Sequence, residues 1–84
     1  MPVTIQNTPN PNALKFAVGR DVGPAQTFVA GGDVDDPMAE ALLSLEGVTS
    51  VFMTSDFVTI SKRPDIEWDL IAEPARAIIE RRFG

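Results

Sequence analysis

The sequence predicts an α+β fold of two layers, a mainly antiparallel sheet with two helices packed on one face, in the order β-β-(β)-α-β-β-α. Three observations predict it. Residues 13–18 and 48–62 alternate apolar and polar side chains with the period of half-buried strands. Residues 36–47 and 65–83 carry apolar side chains at helical spacing. The helices follow antiparallel hairpins, which segregates them to one face of the sheet. At 84 residues the chain is expected to form one domain, over 1–84.

The elements follow in order. Val3, Thr4 and Ile5 give residues 3–7 the character of a short strand. Thr8-Pro9-Asn10-Pro11-Asn12 is an extended loop or turn. Its two prolines fix φ and keep the residues before them out of the α region. In the next strand Leu14, Phe16 and Val18 point one way and Ala13, Lys15 and Ala17 the other. Gly19 to Pro24 breaks the pattern, and Gln26 to Ala30 forms the short bracketed strand, ended by Gly31-Gly32.

For the first helix, Asp36 can cap the N-terminus, Pro37 suits the first helical position, and Gly47 suits the left-handed position after the end. Met38, Ala41, Leu42 and Leu45 form its apolar stripe, with Glu40 and Ser44 on the wet side. Residues 48–62 read as a hairpin turning at Thr54-Ser55-Asp56-Phe57. A two-residue and a four-residue loop give the same register, with Met53 facing Val58 and Val51 facing Ile60. The opposite face then carries Phe52, Thr59 and Phe57. The second helix is expected from near Asp65, with Trp68, Ile71, Ala72, Ala75, Ile78, Ile79 and Phe83 as its stripe and Arg81 and Arg82 in its last turn. Pro74 lies inside this pattern and should kink the helix or make its first turn irregular. The expected core joins Val51, Met53, Val58 and Ile60 to Leu14, Phe16, Leu42, Leu45, Trp68, Ile71 and Ile78.

Composition removes much of enzyme chemistry. The chain has no Cys, no His and no Tyr. A disulfide framework, a thiolate metal site, a cysteine nucleophile and a Ser-His-Asp triad are therefore excluded for this chain. The net charge of −5 has the wrong sign for neutralising phosphates, so neither nucleic acid nor an anionic membrane surface is an expected partner. No apolar run is long enough to span a membrane. Met1-Pro2-Val3-Thr4-Ile5 lacks the basic start and apolar core of a signal peptide. A cytoplasmic protein is expected.

Asp33-Val34-Asp35-Asp36 is the one metal-like cluster, but hard cations need about six oxygens in defined geometry and the EF-hand pattern is absent. No metal site and no cofactor are assigned, and no catalytic residue is nominated. Lys62, Arg63, Arg76, Arg81 and Arg82 form either a basic patch or ordinary helix-end charge with a Glu73/Arg76/Glu80 surface ladder. Two features stand above this background. The loop residues Asn7, Thr8, Asn10 and Asn12 can staple a turn or bind a peptide backbone. Phe52 and Phe57, on the face away from the expected core, form a partner surface unless a helix or loop covers them. These six residues are the candidate partner contacts.

The run Thr8-Pro9-Asn10-Pro11-Asn12-Ala13-Leu14-Lys15-Phe16 resembles the opening of the N-terminal domain of Nfu/NifU scaffold proteins. The resemblance continues through Pro37-Met38-Ala39-Glu40-Ala41-Leu42, Leu45-Glu46-Gly47-Val48, Ser50-Val51-Phe52 and Asp56-Phe57-Val58-Thr59-Ile60-Ser61-Lys62, and closes with Trp68. It implies a link to iron–sulfur cluster assembly. In the family, a Cys-x-x-Cys motif in a separate C-terminal domain holds the cluster, and this chain has no Cys. What the resemblance implies here is an accessory protein-interaction module, expected as a monomer, whose partners are iron–sulfur assembly factors or client apoproteins. The alternative is a regulatory peptide-binding module with no iron–sulfur role, in which the Asn-Pro loop and a sheet edge receive an extended segment. An enzyme would need Lys15 or Lys62 as nucleophile, or an Asp/Glu pair near one pocket, and nothing in the spacing prepares either.

Overall fold

The computed structural model describes residues 3–83. Met1 and Pro2, which open the segment read above for targeting, lie outside the described residues, as does Gly84. Five strands, β1 (Thr4–Asn7), β2 (Ala13–Ala17), β3 (Gln26–Val29), β4 (Val48–Thr54) and β5 (Phe57–Lys62), form one sheet in the order β1-β2-β5-β4-β3. Every neighbouring pair is antiparallel. Helices α1 (Pro37–Leu43) and α2 (Ala72–Phe83) pack on one face, as the alternation required.

The β4–β5 register is the expected one: Val51 pairs with Ile60 and Met53 with Val58. The loop is the two-residue alternative, since Thr54 pairs with Phe57. Ser55, the first loop residue, has φ 52°, the left-handed start that lets a tight hairpin follow the twist of its strands. Between Val48 and Ser50 the ladder shifts by one residue, so Val48 pairs with Lys62 and Thr49 bulges. Strand β5 thus turns Val58, Ile60 and Lys62 toward the helices and Phe57, Thr59 and Ser61 away from them.

Phe16, Leu42, Val51, Val58, Ile60, Ile71 and Ile79 are fully buried in one cluster. Leu45, Trp68 and Ile78, expected inside it, pack against it half-buried. Ala39 and Ala75 take up interior places where the helices approach the sheet and each other. In α1 the buried side chains are Met38, Ala39 and Leu42, so Ala39 takes the interior place expected of Ala41.

Two helix boundaries differ from the sequence reading. Asp36 does cap α1, accepting from the amides of Met38 (2.8 Å) and Ala39 (3.1 Å). The helix nevertheless ends at Leu43, before the turn that carries Gly47. Tighter turns follow, with the Leu45 amide donating to the Leu42 carbonyl and the Val48 amide to the Leu45 carbonyl, because the chain must reverse into β4. The second helix begins at Ala72, not near Asp65, whose carboxylate instead meets Arg63 at 3.3 Å. Trp68–Leu70 forms a separate 3₁₀ turn. Pro74 is then the third residue of α2, where a missing N–H forfeits no helical bond, and the irregularity lies in the turn before it.

Candidate functional site

The six nominated residues separate into two places. The loop between β1 and β2 lies at the end of β2 where Ala13 pairs with Ser61. The two phenylalanines lie toward its other end, where Ala17 pairs with Phe57. Four residues of extended chain, about 13 Å, separate the two ends.

Hydrogen bonds within the loop fix its shape. The Thr8 hydroxyl interacts at 2.9 Å with the carbonyls of both Asn10 and Ala13, and lies 3.2 Å from the Asn10 amide. Asn10 Oδ1 accepts from the Asn12 amide at 2.9 Å, and the Ala13 amide donates to the Asn10 carbonyl. Thr8 and Asn10 therefore staple the turn, one of the two roles open to them. Asn7 ends β1 with an exposed side chain.

Two residues that sequence reasoning did not place beside this loop grip it. The Trp68 indole N–H donates to the Pro11 carbonyl at 3.0 Å. Lys62, only 8% exposed, directs its ammonium to Asn12 Oδ1 (3.4 Å) and the Arg63 carbonyl (3.2 Å), and lies 5.5 Å from the Trp68 ring centroid. The Lys62 amide also donates to the Asn12 carbonyl at 2.8 Å. A buried ammonium is tolerable because these acceptors and the indole face replace part of its hydration. Lys62 shares the parity of Val58 and Ile60, so its inward direction was readable in the sequence. Its contact with a loop fifty residues away in the chain was not.

On the outer face the rings of Phe52 and Phe57 lie 6.4 Å apart at 55°, a favourable tilted pair. The Lys15 ammonium sits 4.4 Å from the Phe57 centroid. Both helices are on the other side, and Phe52 is 37% exposed. Phe57 is half-buried, and neither helix covers the pair.

Some of the remaining charges form ion pairs. Arg76 meets Glu73 at 2.8 Å and Arg82 meets Asp36 at 3.6 Å. Glu80 accepts from the Val3 amide at 3.2 Å and so takes no part in the expected ladder with Arg76. Among the described residues no group of three or more carboxylates is placed to hold a metal ion. A shallow groove of about 260 Å³ runs between α1 and α2, floored by Met38, Ala41 and Ile78 and rimmed by Arg81 and Arg82. None of the nominated residues lines it.

The family model described as scaffold protein Nfu/NifU N terminal matches residues 3–84. The chain belongs to this family. A relative from Drosophila willistoni, named NFU1 iron-sulfur cluster scaffold homolog, mitochondrial, is 44% identical over 87 residues, covering 98% of this chain and 30% of that protein. NifU-like protein 5, mitochondrial, from Arabidopsis thaliana is 34% identical over 80 residues, covering 92% of this chain and 29% of its own length. The chain therefore spans less than a third of these curated relatives. Among solved structures, protein SAV1430 from Staphylococcus aureus superposes with a TM-score of 0.80 at 27% identity, over 93% of this chain and 98% of that one. A NifU-like protein from Saccharomyces cerevisiae shares the fold with a TM-score of 0.79 at 22% identity, over 94% and 75% of the two chains. Nfu N-terminal membership relates the chain to iron–sulfur cluster scaffold proteins. No helix among the described residues is long and apolar enough to cross a membrane.

Proposed function

We propose that this chain is a non-catalytic accessory domain, one unit over 1–84, that serves iron–sulfur cluster assembly through protein contacts and does not itself hold a cluster. The observation that carries the reading is family membership across residues 3–84 in a chain without Cys or His. The donor chemistry does not fit a cluster. Iron–sulfur clusters are held by thiolates, with imidazole substituting at some irons, and neither is available. In the acidic stretch 33–36, Asp36 caps α1.

The contact residues of this proposal are Asn7, Thr8, Asn10 and Asn12 in the loop, and Phe52 and Phe57 on the sheet. Assembly factors or client apoproteins are the partners, the chain acts as a monomer, and neither nucleic acid nor membrane takes part. A cytoplasmic location belongs to the proposal, whereas the relatives above carry the word mitochondrial in their names. Lys15 and Lys62 give no support to an enzyme. One lies over an aromatic ring and the other is turned inward onto carbonyl and amide oxygens. Cross-linked affinity capture from the native cell tests the proposal. Recovery of iron–sulfur assembly proteins or apoproteins supports it. Reproducible recovery of unrelated clients alone favours a regulatory peptide-binding role.

A further inference from the structure

The residues that the sheet turns away from the helices are unusual for this protein. The register assigns to that face Thr, Ser, Ala, Gln, Phe and Val side chains, and Lys15 is its only charged strand residue. The chain as a whole carries an ordinary share of charge, with 12 Asp+Glu and 7 Lys+Arg in 84 residues. Charge depletion combined with aromatic enrichment distinguishes the centre of a protein interface from ordinary surface, which stays soluble by mixing many charges. Phe52 is 37% exposed and Val29 51% exposed on this face. Row by row, Lys15 pairs with Thr59, Thr59 with Phe52 and Phe52 with Thr27, and Phe57, in the next row between Ala17 and Thr54, lies against both the Lys15 ammonium and the Phe52 ring.

We propose that this open sheet face binds a protein partner through an apolar patch that presents a carboxylate to Lys15. The inference rests on the proposed interaction role and specifies its partner chemistry. No ion pair engages the Lys15 ammonium among the described residues, and its nearest assigned partner is the Phe57 ring. An apolar surface closing over Phe52 and Phe57 would strip water from that ammonium, and a carboxylate at the same place would restore its hydration energy. A second copy of the chain is the wrong occupant. The same face of a second copy carries no strand carboxylate to meet Lys15. Nucleic acid and anionic lipid are also the wrong occupants, because one cation cannot offset a net charge of −5.

The test is a titration of the isotope-labelled protein, followed residue by residue by NMR, with two synthetic amphipathic helices of about 18 residues. Both carry a leucine stripe; one flanks it with Glu and the other with Lys. The Glu peptide is expected to bind more tightly, against the overall charge of the protein, and to shift the amides of Lys15, Phe52, Phe57 and Thr59. Lys15→Glu should weaken the Glu peptide about tenfold and reverse the preference, while Lys15→Gln weakens it less. Spectral dispersion shows whether each variant is folded, and Lys15→Gln serves if Lys15→Glu is not. Three results would overturn the proposal: no binding or equal binding of the two peptides, shifts centred on the α1–α2 groove, or face shifts produced by protein concentration alone. The peptides carry no iron–sulfur identity. Their failure leaves the cluster-assembly reading standing, and failed capture of assembly proteins leaves the peptide result readable.

Discussion

Gly47 is the position where a single methyl group should do most harm. Its φ is 93°, and a Cβ built there would lie 2.6 Å from Ile66 Cγ1, with Cγ2 and Cβ of the same side chain also inside 3 Å. Its carbonyl accepts from the Arg63 amide at 2.8 Å, so the backbone cannot swing away freely. Gly47→Ala should therefore lower stability by about 2 kcal/mol or more, read as a reduced urea midpoint at unchanged slope. Asn10→Ala should cost about 1 kcal/mol, because it removes the acceptor that holds the Asn12 amide. A drop of that size in a thermal melt would confirm that the side chain shapes the loop. An unchanged melt would leave Asn10 free for a partner. Both possibilities were legible in the sequence, since Asn staples turns and also binds backbones. The grip of Lys62 and Trp68 on the same loop was not, because local pattern carries no information about contacts between distant segments.

The hairpin of β4 and β5 was readable down to its register, because alternation over both strands permits only one set of facing residues. Helix ends were less readable. Asp36 and Pro37 are local start signals and held, whereas Gly47 marked a required left-handed turn that lies beyond the last helical residue. Trp68 fell at helical spacing from Ile71 and Ala72, which made one helix out of a 3₁₀ turn and α2. Its bond to Pro11 holds it against the loop between β1 and β2 instead. Where sequence and structure agree most closely, at Leu42 in α1 and Ile60 in β5, both side chains are fully buried. Leu42→Ala and Ile60→Ala should each cost about 2–5 kcal/mol, with much of the loss visible as lower protection of sheet amides from hydrogen exchange. Retention of full stability by either variant would contradict the two-layer packing.

A protein of 84 residues buries only about 60% of the surface of its unfolded chain, so it has little stability in reserve. It nevertheless leaves one face of a five-stranded sheet uncovered, with aromatic rings on it. Folding alone gains nothing from that exposure, and contact with another protein is the use we propose for it. The central claim is that the chain serves iron–sulfur assembly by contact while holding no cluster. Anaerobic reconstitution with iron and sulfide, followed by desalting and an absorption spectrum, tests this most directly. The account predicts a colourless protein with no visible charge-transfer bands. A stoichiometric chromophore retained on the chain would contradict it.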